Sequence, residues 1–246
     1  MNQAVGILGG MGPTAGAEFA LAFVCACTER LNRLGMCVED QAYPEHWLVQ
    51  APIANRVVAL TSPGADQSLP LDGMKQAMTK LHLLGVQSVA IACNTAHAWH
   101  ADIQAEFPDI ELLHIVRELV SELKTTGVQR IGLLATQGTY ASGVYAHELK
   151  LGAIQCALPT PLDREMLMEG IFQGVKAGDF EKARGCFSKV ANAMCERNDL
   201  QALVLGCTEI PLGLREMPRF PGVRLINPAH TLARALACRA IPTLAH

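Results

Sequence analysis

SVAIACNTA (88–96) and ALVLGCTEI (202–210) decide how this chain folds. Each is a short run that is apolar on both faces, ended by a cysteine and then by hydrogen-bonding side chains. Strands of four to six residues without polar alternation read as parallel and covered by helices on both sides. Parallel α/β sheets place their sites beyond the carboxyl ends of the strands. Cys93 and Cys207 fall at those ends.

Working outward, 5–8 and 130–134 are further runs of the same kind, and 111–115 reads as an edge or crossover strand. Amphipathic periodicity predicts helices over 15–34, 72–84, 116–125, 140–149 and 180–197. Gly35, Gly85, Gly127 and Gly152 fall at helix ends, where a left-handed residue is cheap for glycine. An internal echo organises these pieces. AVGILGGMGPTAG (4–16) is answered by RIGLLATQGTYASG (130–143), and the two cysteine turns answer each other at similar distances downstream. The expected fold is α/β, with two pseudo-symmetric, Rossmann-like α/β/α subdomains, mostly parallel central sheets and a site in the cleft between them. The first subdomain spans 1–113 and carries Cys93; the second spans 114–228 and carries Cys207. A C-terminal helix, about 229–246, starts after Asn227-Pro228 and packs back on the first half.

Composition narrows the partners. The chain has 246 residues, half of them hydrophobic and 17% charged, with a formal charge of -3. That suits a globular protein and gives no electrostatic case for nucleic acid or an anionic membrane. The nine cysteines are odd in number and scattered, without a CxxC pair. Reduced thiols in a cytoplasmic protein explain them better than a disulfide framework. The N-terminal MNQAVGILGG does not read as a secretory leader, and no run reaches the ~18 apolar residues of a membrane span.

A cysteine from each half suits a two-base reaction: one thiolate removes a proton from carbon, and the other thiol delivers one to the opposite face. The alternative for either residue is an inert core thiol. Asn94-Thr95 and Thr208-Glu209 sit where strands turn into helices, so their backbone N–H groups point into the site. GILGGMGPTAG departs from the GxGxxG spacing of nucleotide loops, which argues against nicotinamide or flavin. It reads as a tight turn whose N–H groups face a substrate carboxylate, or as a purely structural one. In the second copy Thr136 and Thr139 supply hydroxyls for the same purpose. Arg56, in the Pro-bounded loop PIANRVV (52–58), is either a carboxylate fork or a solvated surface charge. Lys176 is a second cation or a helix end. His97 is more a cap or packing residue than the proton partner of Cys93. A zinc site built from Cys93, His97, Cys207 and Glu209 would neutralise the thiolate that the symmetry exposes.

Taken in order, GILGGMGPTAG, ANR, ACNTAH, GLLATQGTYASGVY and LGCTEIP make the chain resemble the aspartate/glutamate racemase superfamily, and most of all its aspartate racemase branch. The resemblance covers nearly the whole chain. It implies an isomerase that interconverts L- and D-aspartate with Cys93 and Cys207 as the acid/base pair, without pyridoxal phosphate, metal or nucleotide. It implies Arg56 and Lys176 as carboxylate binders and Met11, Gly12, Asn94, Thr95, Thr136, Thr139 and Thr208 as lining residues. Asn55, His97 and Glu209 are placed in supporting roles, and a homodimer is expected. Glutamate or broad-specificity racemases, and maleate isomerases or decarboxylases of the same fold, are the alternatives; a binding protein with core thiols is the remaining one.

Overall fold

The computed structural model describes residues 2–214 and 220–243. Among them are two four-stranded parallel sheets of identical topology. The first has the order β2-β1-β3-β4, from β1 (Val5–Gly9), β2 (His46–Gln50), β3 (Ser88–Ile91) and β4 (Glu111–Leu112). The second has the order β6-β5-β7-β8, from β5 (Arg130–Ala135), β6 (Gln155–Ala157), β7 (Ala202–Gly206) and β8 (Arg224–Ile226). Ile7 pairs with Ala90 and Leu133 pairs with Val204, so the echoed segments lie side by side at the centre of each sheet.

The helices are α1 (Pro13–Arg33), α2 (Arg56–Thr61), α3 (Ser68–Leu83), α4 (His100–Glu106), α5 (Ile115–Thr125), α6 (Gln137–Ser142), α7 (Val144–Leu151), α8 (Pro161–Glu169), α9 (Phe180–Arg197), α10 (Glu209–Gly213) and α11 (Pro228–Ala240). Their starts follow local chemistry. Pro13 opens α1 at the first turn, the Asn55 carboxamide caps α2, and Thr160 and Asp163 form a reciprocal capping box on α8. Asn227 caps α11, whose first residue is Pro228.

Helix α11 packs against α1 and α5, between the two sheets. One core therefore runs from β1 through Phe23, Leu119 and Leu236 to Ile131 and Val204 of the second sheet. Separate outer cores cover the far faces: Met74, Met78 and Ile103 on the first sheet, Leu167, Phe187 and Val190 on the second. Each fully buried side chain of this size contributes ~1.5–3 kcal/mol. Much of that burial lies in the shared layer, which fixes the angle between the sheets and hence the distance between their carboxyl ends.

Several local expectations change. The helix expected over 140–149 is two helices, α6 and α7, broken at Gly143, whose φ is 68°. Gly152 keeps a right-handed conformation and Ala153, at φ 57°, takes the left-handed one instead. Only Glu111–Leu112 of 111–115 pairs as strand, because Ile115 already opens α5. Part of PIANRVV is helical, since the Asn55 side chain accepts from Val57 N and Val58 N. The expected C-terminal helix ends at Ala240, and residues 244–246 lie outside the described part. No helix among the described residues is long and apolar enough to cross a membrane.

Candidate functional site

Cys93 follows β3 and Cys207 follows β7, each at the carboxyl end of a central strand and each 6% exposed. Both line one cavity of about 330 Å³. The first half also contributes Met11, Gly12, Asn55, Arg56, Asn94 and Thr95 to its wall; the second contributes Thr136, Lys176, Thr208 and Glu209. Residues separated by more than a hundred positions thus share one pocket.

The floor is a triangle of hydroxyls. Thr95 lies 3.0 Å from Thr136 and 2.9 Å from Thr139, which are themselves 3.0 Å apart. Three hydroxyls can donate and accept in a cycle, so they satisfy one another while joining the halves. Thr139, expected on the wall, lies behind it, and its hydroxyl bonds Thr95 and Thr136, which do line the cavity. A second tie crosses nearby, where the Tyr145 hydroxyl donates to Asn94 Oδ1 at 2.6 Å. That bond orients the carboxamide and leaves Asn94 Nδ2 buried without a partner among the described residues. A buried free donor on a cavity wall is costly unless a ligand accepts from it.

Arg56 lines the cavity, but three of its five N–H donors are already taken. Nη1 donates to the carbonyls of Ile53 and Ala54 and Nη2 to that of Met11, at 3.0, 2.9 and 2.7 Å. A grip on a carboxylate through both terminal nitrogens is not the arrangement here. The side chain instead ties the glycine turn to the α2 loop, with its charge at the pocket edge and Nε buried without a partner among the described residues.

Lys176 is presented by a turn that local sequence makes possible. Residues Gly170–Gly174 form a π-type turn, followed by a tight turn over Val175–Ala177. A Cβ on Gly174 would lie 2.8 Å from Ala183 Cβ, and one on Gly170 would lie 2.5 Å from the Phe187 ring. These two glycines let the segment lie against α9, carrying Phe172 and Lys176 to the cavity. Lys176 Nζ is 2.7 Å from Glu209 Oε1. Oε2 of the same carboxylate accepts from Cys207 Sγ and Thr208 Oγ1, both at 3.0 Å. Glu209 is 5% exposed. Burial alone would make it a weaker acid, but Lys176 and the two donors outweigh that and hold its pKa below the usual carboxylate range.

His97 sits behind the wall, not on it. Its Nδ1 donates to the Cys93 carbonyl at 2.9 Å, so it braces the backbone of the cysteine rather than its thiol. It packs with His100 and His114, ring centroids 4.7–6.1 Å apart. Burial, then mutual repulsion, lowers His97 to about 3; burial, His100 and Arg117 bring His114 to about 3 as well. Among the described residues no group of three or more histidines, cysteines and acids is arranged to hold a metal. The consequence is for stability. Both folded values lie below the unfolded ~6.5, so the unfolded chain binds more protons as pH falls. The stability is intact above about pH 6.5 and is lost toward pH 3, by up to ~1.4 kcal/mol per pH unit for each ring. Urea unfolding between pH 7 and 5 should show a slope of this sign, and His97→Gln should reduce it while leaving the share of His114 and of His100, which burial also lowers. A pH-independent midpoint would contradict the buried neutral cluster.

Reading residues singly missed the Cys207–Glu209 bond, the backbone bonds of Arg56 and the part played by Tyr145. Only the glycines of GIFQG carried a local signal, since they flank the turn that presents Lys176.

The chain is similar to proteins of known activity. Residues 8–236 match the family described as Asp/Glu/Hydantoin racemase. A broad-specificity amino-acid racemase of Bacillus subtilis is 31% identical over 150 residues, 59% of this chain and 60% of that protein. A glutamate racemase of Aquifex aeolicus is 30% identical over 160 residues, 62% of this chain and 58% of its own length. The chain thus spans about 60% of the length of these curated relatives. The structure of a Picrophilus torridus aspartate racemase superposes with a TM-score of 0.74 at 28% identity, covering 97% of this chain and 94% of that one.

Proposed function

The chain belongs to the Asp/Glu/hydantoin racemase family, and from that premise we propose that it racemises aspartate by a two-thiol mechanism without a cofactor. The observation that carries the reading is the arrival of one cysteine from each half at a single small cavity. One thiolate takes the α-proton, the C–H electron pair moves into the α-carboxylate as an enediolate, and the other thiol protonates the opposite face. Asn94 Nδ2, without a partner among the described residues, is a donor for a substrate carboxylate, and the charge of Arg56 at the pocket edge favours an acidic substrate. Preorganised donors in a water-poor pocket stabilise the enediolate far more than water would. A second reading, turnover of less polar amino acids, is supported by the Ile53, Val57, Ile171 and Phe172 side of the cavity.

Incubation with L-aspartate in D2O should give D-aspartate carrying α-deuterium, ending at equal amounts of the two enantiomers. Chiral chromatography with mass detection reads both features, and a panel with glutamate, alanine and lysine ranks the substrates. Absence of both inversion and exchange across the panel would refute racemisation. Fumarate from maleate, or CO2 from a malonate, would place the chain with the isomerases or decarboxylases of this fold instead.

A further inference from the structure

We infer that Glu209 is a positioning residue that sets the resting proton inventory of the site, holding Cys207 as the thiol and leaving Cys93 to supply the base. The inference deepens the two-thiol reading and rests on it. A carboxylate can only accept, so the 3.0 Å contact between Cys207 Sγ and Glu209 Oε2 requires the proton to be on sulfur. Ionising Cys207 would break that bond and put two anions 3.0 Å apart in a buried pocket.

The surroundings reinforce this. Burial first, then the charge of Glu209 and its hydrogen bond, push the Cys207 thiol well above the ordinary thiol range. The other titratable groups near Cys207 are Cys93, Tyr140 and Tyr145, with Lys176 reaching it through Glu209. Both tyrosines are raised above the ordinary phenol range by burial and stay neutral. Lys176 therefore has a task of its own: it keeps Glu209 ionised, and so keeps it an acceptor. No carboxylate among the described residues makes the corresponding hydrogen bond to Cys93.

The two free forms of the enzyme are consequently unequal. Starting from the resting form, the Cys93 thiolate removes the α-proton and Cys207 gives its S–H proton to the opposite face. The bond pair that had moved into the carboxylate returns to Cα. The enzyme is left with a Cys93 thiol and a Cys207 thiolate beside Glu209, a form of higher energy. It resets by taking a proton from solvent, or by turning over the other enantiomer.

Iodoacetamide alkylation tests the inference directly, because only thiolate reacts appreciably. Rates at Cys207 and Cys93 would be followed by peptide mass spectrometry from pH 6 to 11 in wild type, Glu209→Gln and Glu209→Ala. Glu209→Gln should move the Cys207 limb to lower pH by about one unit or more, roughly tenfold in rate at a fixed pH below the limb. The Cys207 limb should move more than the Cys93 limb, and Glu209→Ala should move it in the same direction. Coincident Cys207 limbs in wild type and Glu209→Gln, or equal shifts at both cysteines, would overturn the inference. If Glu209→Gln fails to fold by circular dichroism, Glu209→Ala decides: an unmoved Cys207 limb overturns the inference, a lowered one supports it. A protein that alkylates in this pattern yet gives no α-deuterium with any amino acid would refute racemisation while leaving the Glu209 pairing intact.

Discussion

Serine at position 93 or 207 is expected to lower kcat/KM for racemisation by about 10³-fold or more, close to what a positioned acid or base contributes. Both directions must lose the same factor, because the enantiomers are equal in free energy and kcat/KM for the two is bound by that equality. A difference does survive in the half-reactions. With Cys207 changed, Cys93 can still remove the α-proton of the enantiomer it faces and return a deuteron from solvent to the same face. With Cys93 changed, the other enantiomer should exchange instead. Proton NMR in D2O, run on each pure enantiomer, separates the two variants. The substitution is nearly isosteric at positions 6% exposed, so the fold should survive it. Undiminished racemisation in both variants would remove the cysteines from the mechanism.

Gly10→Ala is expected to cost ~3 kcal/mol or more and most of the activity with it. Gly10 ends the first glycine turn at φ 91°, where a side chain is strained by ~1–2 kcal/mol. An added Cβ would also lie 2.0 Å from the Ala51 carbonyl oxygen and 2.6 Å from Ala51 N. That backbone has little freedom to yield: Ala51 N donates to Gly9 O at the end of β1, and Ile53 N donates to Ala51 O. Displacement would travel to Met11, whose carbonyl receives Arg56, and so to two sides of the cavity. Gly35→Ala is the comparison, with φ 66° but nothing within 4 Å of the new Cβ. It should cost only ~1 kcal/mol and leave turnover intact. Urea unfolding of both variants measures the contrast. Equal costs would mean that backbone conformation, not the contact with Ala51, dominates at Gly10.

The acidic and basic residues of the pocket divide the work differently from a single-residue reading. Arg56 was legible as a cation near the site, yet three backbone carbonyls take its terminal nitrogens. Lys176 was legible only as an ambiguous helix end, and Glu209 turns it into part of a chain that reaches the Cys207 sulfur. Charge type can be read from one residue; which partner consumes the charge cannot.

The central strands were legible because each is covered on both faces and must be apolar throughout; β1, β3 and β7 are buried at every position. The edge strands β2, β6 and β8 carry no such signature. His46–Gln50 is largely exposed, and the other two have three residues each. They become strands because a neighbour offers unpaired backbone groups. By its own pattern the chain therefore determined the doubled α/β plan and the placing of Cys93 and Cys207 at strand ends, since burial and periodicity act over a few residues. Tertiary structure alone decided the hydroxyl triangle, the Tyr145–Asn94 bond and the backbone bonds of Arg56. Hydrogen bonds are satisfied over about 3 Å in space, and each of these groups includes a partner 41 to 51 residues away along the chain: Thr136 for Thr95, Tyr145 for Asn94 and Met11 for Arg56.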